Sequence, residues 1–380
     1  MKRACIYVVF DKQKKINPYI RLVLSELIKF ASDIYVVCNF DEILSGLDYI
    51  KPFVKSINCR NNVGFDAGAY KEMLNEVIGW DRILQYDELI LTNDTYFAPI
   101  YPFDDMFRTM QKTDCDYWGM TRHPKGFLDG YGIFEEHIQS YFLCFKRDVV
   151  HNEKFKLFWT EFKLGDDKNS TIAGFELGIN SCLTRMGYIG KAYMDQKPDF
   201  NIEIENANPY SRYAYELIRD AKMPIIKKTN FYGKNRWLMN TFEAADFIDK
   251  NTDYDMCLIW DYVDEYQKKG LMGPYYDFED MESFVKSHKK IYIYGAGIWG
   301  EITAGYFKRK NWQFVCFLTT TDGEGEMAGK PIRLFSETEI YDDDGIIIAQ
   351  EFKENCDEII EYMGDSYKSQ IFTPCYSENV

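Results

Sequence analysis

The stretch Ala4-Cys5-Ile6-Tyr7-Val8-Val9-Phe10 (ACIYVVF, residues 4–10) is a run of seven apolar residues that ends at Asp11. A short apolar run with polar residues on both sides is typical of a buried strand. Asn17-Pro18 then supplies a helix cap and a proline at the first helical position. Residues 34–38 (IYVVC) form a second apolar run. A strand, a helix and a strand in immediate succession predict a parallel α/β sheet.

The same pattern continues through residues 1–240, with predicted strands near 54–58, 88–92, 116–120 and 141–145. One predicted helix is capped by Asp66, and two others begin at Pro102 and Phe175. Residues 241–287 are predicted to form a mainly helical linker. A second α/β pattern follows over residues 288–380, in which GAGIWG (295–300) comes directly after an apolar strand. We therefore predict a small Rossmann-like domain at the C-terminal end. The lone glycine motif is weak evidence for NAD(P), and we expect none to be bound.

The composition excludes several classes of protein. The chain has 380 residues, which suits two domains, and its net charge of −15 comes without a basic stripe. We therefore expect no nucleic-acid partner and no general adhesion to anionic membranes. No apolar run approaches the length of a transmembrane helix, and no CxxC pair occurs, so we predict a cytoplasmic protein. Aromatic residues make up 17% of the chain, which predicts either aromatic-rich cores or faces that stack on sugars.

Three polar segments follow predicted strands, at the sheet edge where open α/β folds bind ligands: Asp11, the turn 61–66 and Asn93-Asp94-Thr95. Asp94 is the strongest candidate. A carboxylate there could hold Mg²⁺ or Mn²⁺ against the phosphates of a nucleotide. The alternative is an Asx turn that only ends the strand.

Other candidates are less specific. The turn 61–66 contains Asn62, Gly64 and Asp66 before a helix, where an anion could bind, but a capped loop would have the same sequence. Glu176 is predicted in the first turn of a helix, where the dipole favours an ionised base, although helix-start carboxylates are common. His137 is kept as a candidate because polar residues surround it in the sequence.

Six stretches together resemble the rhamnan synthesis protein F family, bacterial glycosyltransferases of surface-polysaccharide assembly. They are RNNVGFDAGAYK (60–71), YDELILTNDTYFAP (86–99), DYWGMT (116–121), HIQSYFLCFKRDVV (137–150), FKLFW (155–159) and FELGINSCLTRMGY (175–188). MPIIKKTNFY (223–232) is a weaker match.

The resemblance implies a GT-A-like nucleotide-sugar domain with a nucleotide-sugar donor such as dTDP-rhamnose. It implies that Asp94 binds a divalent metal and acts in catalysis, and that Glu176 is the catalytic base of an inverting enzyme. Donor-binding residues would be Asp11, Asn62, Gly64, Asp66 and Asn93. Substrate-binding residues would be Trp118, His137, Gln139 and Tyr141. The acceptor would be a glycan or lipid-linked glycan at the inner membrane face, and the partners would be other proteins of polysaccharide assembly.

The chain also departs from the family pattern. Asn93-Asp94-Thr95 has a single carboxylate where the common GT-A motif has two, which leaves the metal open. Ala67, Ala69 and Ala98 replace residues that are usual in the family. Two other functions stay under consideration: an NAD(P)-dependent oxidoreductase that uses GAGIWG, and a carbohydrate-binding assembly protein without catalysis.

Overall fold

The protein is described by a computed structural model over residues 1–165, 167–197, 213–231, 238–267, 278–350 and 352–374. Its internal contacts divide it into two compact units. The first comprises residues 1–209, 216–228 and 251–258, and the second comprises residues 210–215, 229–250 and 259–380. In the part of the chain that the structure describes, no helix has the length and apolar character needed to cross a membrane.

The strands of the first unit, numbered along the chain, are β1 Arg3–Val9, β2 Asp33–Cys38, β3 Ser56–Cys59, β4 Glu88–Asn93, β5 Tyr96–Phe97, β6 Tyr117–Gly119, β7 Arg122–His123, β8 Gly126–Leu128, β9 Gly132–Phe134, β10 His137–Ile138, β11 Phe142–Lys146, β12 Gly190–Ala192 and β13 Ile226–Lys227. Seven of them form the central sheet, in the order β12-β6-β11-β4-β1-β2-β3. The predicted strands 4–10, 34–38 and 88–92 are confirmed, with ends that differ by at most one residue.

The position of β1 in the sheet determines where a ligand can bind. β1 pairs in parallel with β2 on one side and with β4 on the other, and β2 pairs in parallel with β3. The chain therefore runs outward from β1 through β3 and returns to β4 on the opposite side of β1. Such a reversal opens a crevice at the carboxyl ends of the two strands, which is where open sheets bind ligands.

The described α-helices are Pro18–Leu27, Phe65–Glu72, Trp80–Ile83, Asp104–Lys112, Arg147–Val150, Glu153–Glu161, Lys168–Thr171, Gly178–Arg185, Ala214–Arg219, Leu238–Asn251, Cys257–Gln267, Phe278–Ser287, Ile298–Arg309 and Lys353–Met363. Two π-helical segments, Met73–Val77 and Ile172–Leu177, continue the helices that precede them. Short 3-10 helices are Leu47–Tyr49, Lys51–Phe53, Met194–Gln196, Lys228–Phe231, Phe335–Glu337 and Asp365–Gln370.

Many of the aromatic residues pack in the core. Trp159 and Tyr70 are fully buried against one face of the central sheet, with ring centroids 6.3 Å apart. Phe175 completes the cluster, 5.5 Å from Trp159. Each such side chain contributes about 1.5–3 kcal/mol through burial. The aromatic content thus serves packing in this region and is not by itself a sign of sugar binding.

The second unit has a mostly parallel sheet of its own. Its strands are β14 Ile291–Tyr294, β15 Phe317–Thr319, β16 Glu326–Met327, β17 Lys330–Leu334, β18 Gly345–Ile348 and β19 Ile371–Phe372. They lie in the order β16-β17-β15-β14-β18-β19, and only β16 runs antiparallel to its neighbour. A Cβ at Gly300 would lie 2.0 Å from the carbonyl oxygen of Gly295, so glycine is required where the helix begins after β14.

The helix Phe278–Ser287 packs on this second sheet. The ring of Phe284 lies 5.4 Å from that of Phe372, and a Cβ at Gly345 would come within 2.8 Å of the Phe284 ring. Residues 241–287 were predicted from the sequence to form a mainly helical linker. These contacts show that the last helix of that segment belongs to the second unit.

Candidate active site

Two buried carboxylates follow the adjacent parallel strands β1 and β4. Asp94 is joined to the end of β1 by a hydrogen bond of 3.0 Å from its backbone N–H to the carbonyl oxygen of Val8. The carboxylate of Asp11 accepts hydrogen bonds from the backbone N–H of Gln13 at 2.7 Å and from Asn17 Nδ2 at 2.9 Å. The structure therefore places Asp11 and Asp94 at the carboxyl ends of β1 and β4, where the strand order reverses.

Asn93, rather than Asp94, makes the turn that ends β4. Its Oδ1 accepts from the backbone N–H of Thr95 at 3.2 Å and from the Thr95 hydroxyl at 2.7 Å. Its Nδ2 donates to Asp66 Oδ2. The sequence left open whether Asp94 only forms an Asx turn at the end of the strand. The turn is present, but Asn93 forms it, so the carboxylate of Asp94 is available for another contact.

That contact is an ion pair with Lys228, whose Nζ lies 3.2 Å from Asp94 Oδ2. The two side chains are 7% and 8% exposed, so the pair is buried. Lys227 lies on the other side of the turn. Its Nζ donates to the Thr95 hydroxyl at 2.6 Å and lies 4.1 Å from the ring centre of Tyr141.

Burial dominates the electrostatics of this cluster. It raises the pKa of Asp94, although the charge of Lys228 opposes the shift, and it raises the pKa of Asp66. It lowers the pKa of Lys228 and lowers that of Lys227 to about 7. The negative charges of Glu176, Asp66 and Asp94 all act against the shift of Lys227. Perturbed groups concentrated in one crevice are typical of functional sites.

Glu176 lies in the middle of a helix, not at its start as the sequence predicted. The helix begins at Lys168, continues through the π-helical segment Ile172–Leu177 and ends at Arg185. The dipole argument for its ionisation is therefore wrong. Instead, its Oε1 faces His137 Nε2 at 3.0 Å, and its Oε2 accepts from the backbone N–H of Ser140 at 2.9 Å and from the Ser140 hydroxyl. Burial acts to raise the pKa of Glu176, but these bonds together hold it below its usual value.

Both ring nitrogens of His137 face acceptors. Nδ1 lies 3.1 Å from the carbonyl oxygen of Glu135, while Nε2 faces the carboxylate of Glu176. A carbonyl oxygen can only accept, so Nδ1 carries a proton. The contact of Nε2 with the carboxylate fixes the orientation of both side chains. The ring of His123 stacks on that of His137, with centroids 5.4 Å apart.

The loop before the helix Phe65–Glu72 is held by backbone geometry. Gly64 caps the helix with φ of +70°, and Phe65 also has a positive φ of +52°. The prediction that Asp66 caps this helix is wrong, because its side chain bonds to Asn93. A Cβ at Gly64 would lie 2.8 Å from Leu164, so the space beside this glycine is filled by protein. Asn62 Oδ1 is buried without a hydrogen-bond partner among the described residues.

The four residues predicted to bind substrate separate into two groups. His137 joins the cluster directly, and the buried hydroxyl of Thr121 bridges Gln139 at 3.0 Å and Tyr141 at 3.1 Å. Trp118 does not join them. It is 2% exposed and packs against Phe107, 5.5 Å away, so its ring is not available to stack on a sugar.

A divalent metal at Asp94 does not fit the arrangement of these side chains. Among the described residues, no group of three or more His, Cys, Asp or Glu side chains is placed to hold a metal ion. The carboxylate of Asp94 already forms an ion pair with the ammonium group of Lys228, and the carboxylate of Asp66 accepts a hydrogen bond from Asn93. A cation that bound Asp94 would have to separate a buried ion pair, which is costly.

Lys227, Lys228 and Ser140 were not predicted as site residues from the sequence. The two lysines lie in MPIIKKTNFY (223–232), the weakest of the matching stretches. A pair of lysines usually indicates a solvated surface, and only the antiparallel pairing of β13 with β5 brings this pair to the crevice. The signal was the short apolar run Ile225-Ile226 before them, which is typical of a strand.

Comparison with known proteins gives a family. The family model described as rhamnan synthesis protein F matches residues 34–327, which is most of the chain. This confirms the resemblance seen in the sequence. A curated relative, described as uncharacterized protein y4gN of Sinorhizobium fredii, is 24% identical over 196 residues. The alignment covers 50% of this chain and 50% of that protein, so the chain spans about half the length of the curated relative it matches.

Solved structures match the chain at low identity and low TM-score. The Mn/GDP form of core-mannan synthase A from Aspergillus fumigatus is 9% identical and covers 51% of this chain and 73% of its own, with a TM-score of 0.30. TarS 1–349 from S. aureus is 10% identical and covers 75% and 74%, with a TM-score of 0.32. The 4-diphosphocytidyl-2C-methyl-D-erythritol synthase from Anaerococcus prevotii is 11% identical and covers 50% and 87%, with a TM-score of 0.30.

Proposed function

The chain belongs to the rhamnan synthesis protein F family, and from that premise we propose that it is a glycosyltransferase of cell-surface polysaccharide synthesis. It would move a sugar from a nucleotide-sugar donor to a glycan or lipid-linked glycan acceptor. The observation that carries the proposal is the buried cluster of opposite charges at the reversal of strand order, where Asp94 and Lys228 pair beside Lys227. Rhamnose is the donor sugar to test first, because the family is described as one of rhamnan synthesis.

The proposed reaction inverts the anomeric carbon. An acceptor hydroxyl loses its proton to a carboxylate, and its oxygen bonds to the anomeric carbon. The bond from that carbon to the phosphate oxygen breaks, and the electron pair leaves with the nucleoside diphosphate. Positive charge develops at the carbon and negative charge at the leaving oxygen, so the enzyme needs a base on one side and cationic groups on the other.

Glu176 is the base that we propose. His137 and Ser140 hold its carboxylate in place, and its lowered pKa keeps it in the ionised form that can accept a proton near neutral pH. Asp66 is the alternative, because burial raises its pKa and its carboxylate lies within electrostatic reach of Glu176.

The remaining residues are assigned by their place around the crevice. Asp11 and Asn93 lie at the ends of β1 and β4, on the side proposed for the donor. Asp66, in the first turn of the helix Phe65–Glu72, is assigned to the same side because it bonds to Asn93. Asn62 and Gly64 belong to the preceding loop, in which Gly64 shapes the turn. Gln139 and Tyr141, linked through Thr121, stand on the side proposed for the acceptor.

The test is a transfer assay with the whole chain. Release of nucleoside diphosphate is measured with dTDP-rhamnose and with UDP- and GDP-sugars, each with and without a rhamnan-type acceptor. We expect acceptor-dependent release with at least one donor, and NAD(P) serves as a ligand that should have no effect. A chain that binds no nucleotide and turns over no donor in this panel is not a nucleotide-sugar-dependent transferase.

For the second unit we propose a separate Rossmann-like domain. The parallel core β17-β15-β14-β18-β19 and the glycine turn after β14 support this proposal. The proposed division is 1–240 for the transferase domain, 241–287 for the connecting helices and 288–380 for the C-terminal domain, with the helix Phe278–Ser287 packed on the last of these.

A further inference from the structure

Two consecutive lysines are held on either side of the turn that ends β4. β13 pairs with β5 in antiparallel register, Ile226 opposite Phe97 and Lys227 opposite Tyr96. The backbone N–H of Lys228 continues this pairing with a hydrogen bond of 3.0 Å to the carbonyl oxygen of Thr95. The two ammonium groups reach neighbouring residues of the turn: Lys227 Nζ bonds to the Thr95 hydroxyl, and Lys228 Nζ pairs with Asp94.

The two lysines have different partners. Lys228 is paired with the carboxylate of Asp94, and its Nζ also lies 4.7 Å from the ring centre of Tyr19. Lys227 donates to the neutral hydroxyl of Thr95 and lies over the ring of Tyr141, and it forms no ion pair within the described residues. Lys227 is half-buried, and a hydroxyl and a ring face compensate its ammonium only in part. The carboxylates of Glu176, Asp66 and Asp94 act on it without an ion pair, so its ammonium can still donate directly to a phosphate oxygen.

We propose that Lys227 and Lys228 bind the diphosphate of the donor and stabilise the departing nucleoside diphosphate in place of a divalent cation. The inference rests on the proposed function and adds to it the means by which the leaving group is neutralised. Asp94 is then a positioning residue, which orients Lys228. Their ammonium groups can donate hydrogen bonds to phosphate oxygens, and lysine is a common phosphate ligand.

The chemistry balances without another component. As the bond between the anomeric carbon and the phosphate oxygen breaks, that oxygen keeps the electron pair and gains charge. Lys227 and Lys228 donate hydrogen bonds to the phosphate oxygens, and the proton of the acceptor goes to the carboxylate base. Because donors in a water-poor crevice are already oriented, they stabilise this charge without reorganisation at the moment of reaction.

The first test uses the whole wild-type chain. Binding of UDP, GDP and dTDP is measured by calorimetry after dialysis against EDTA and again with Mn²⁺ added. We expect at least one nucleoside diphosphate to bind in EDTA with an affinity within about threefold of that in Mn²⁺, a difference of less than one kcal/mol. Binding that appears only with Mn²⁺ would overturn this inference and leave the proposed function standing. Binding in neither medium would count against both.

The second test uses variants in EDTA. Lys227→Met and Lys228→Met should each weaken binding of the best nucleoside diphosphate by about tenfold or more, as expected for a lost charge-assisted contact. Lys112→Met removes the same charge from an exposed position on another helix and should bind like the wild type. Wild-type affinity in both site variants would overturn the inference.

Loss of Lys228 leaves Asp94 buried without its partner, which could prevent folding. The double variant Asp94→Asn/Lys228→Met removes both charges, so the role of Lys228 in diphosphate binding can be tested even if the single variant does not fold. Circular dichroism and the thermal midpoint establish that each variant is folded before its affinity is compared. If the folded double variant binds as tightly as the wild type, Lys228 is not a diphosphate ligand.

Discussion

The Nε2 atom of His137 lies 3.0 Å from Oε1 of Glu176, and the other ring nitrogen faces a backbone carbonyl oxygen. The imidazole can satisfy both acceptors only when both nitrogens carry protons. This pair therefore fixes the orientation of Glu176 and, through the hydrogen bond, helps to hold its pKa below the usual value. In the proposed reaction, it keeps the base ionised until the acceptor hydroxyl gives up its proton.

The substitution Glu176→Gln tests directly whether Glu176 is the catalytic base. Glutamine keeps the size of the side chain and can bond to His137 and Ser140, but it cannot accept the proton. We expect transfer to fall by about 10²-fold or more while nucleotide affinity is unchanged. The measurement is single-turnover transfer together with calorimetry, and Glu161→Gln, at an exposed position, is the control. If Glu176→Gln is active and Asp66→Asn is not, the base is Asp66.

Removal of His137 should move the acid limb of the pH profile. Its hydrogen bond and charge help to hold the pKa of Glu176 below the usual value. In His137→Phe that pKa rises, so transfer should begin to fail at a higher pH as the solution is acidified. The pH dependence of kcat/KM measures this shift. The control is His123→Phe, which keeps a ring in the stack and leaves the bond to Glu176 intact. Identical acid limbs in all three proteins would mean that His137 does not tune Glu176.

The buried pair of Asp94 and Lys228 can be measured as a coupling energy. Either single exchange, Asp94→Asn or Lys228→Met, leaves one buried charge without its partner and should lower the free energy of unfolding by about 3–5 kcal/mol. The double variant should recover much of that loss, because neither charge remains. Urea unfolding of the four proteins gives the cycle. Additive losses would show that the two side chains do not interact in the folded protein.

The parallel sheet and the end of β4 could be predicted from the local sequence alone. The run ACIYVVF and the stretch before Asn93 are apolar and lie between polar residues, and buried parallel strands have this pattern because both faces are covered. Asp11 and Asp94 could be predicted to lie close together, since the carboxyl ends of adjacent parallel strands share one edge. The six matching stretches identified the family for the same reason: each is local in the sequence.

The contacts that sequence reasoning missed all join distant segments. Lys228 meets Asp94 across 134 positions of the chain, and Glu176 meets His137 across 39. The family resemblance placed Trp118 with the substrate, but its strand directs the ring into the core beside Phe107. Nothing in a local pattern distinguishes the two faces of a three-residue strand such as β6.

The second unit offers a prediction about independent folding. Residues 278–380 contain the helix Phe278–Ser287, which packs through Phe284 on Phe372, and all six strands of the second sheet. Expressed alone, this segment should be monomeric and show a cooperative thermal transition. A segment that begins at residue 288 lacks Phe284 and should be less stable. If both segments unfold at the same temperature, the helix does not contribute to this unit.

The pKa of Lys227 gives the pH dependence of stability. Burial lowers it to about 7, whereas an unfolded lysine keeps its usual value near 10.5. Between these two values, the unfolded chain binds more protons than the folded protein at this position. Stability contributed by Lys227 therefore rises with pH, and the penalty for burying the ammonium is fully present only below about pH 7.

Replacement by methionine removes that titration and keeps an unbranched apolar stem of similar length. The difference in the free energy of unfolding, wild type minus Lys227→Met, should therefore increase from pH 7 to pH 9, by at most about 1.4 kcal/mol per pH unit. Urea unfolding of both proteins at pH 7, 8 and 9 measures it. Lys112→Met, compared with the wild type in the same way, should show a constant difference, because Lys112 is exposed. A constant or falling difference for Lys227→Met would mean that the pKa of Lys227 is not lowered in the folded protein, because an opposite charge already compensates its ammonium group. The case for an anion-binding position would then be lost.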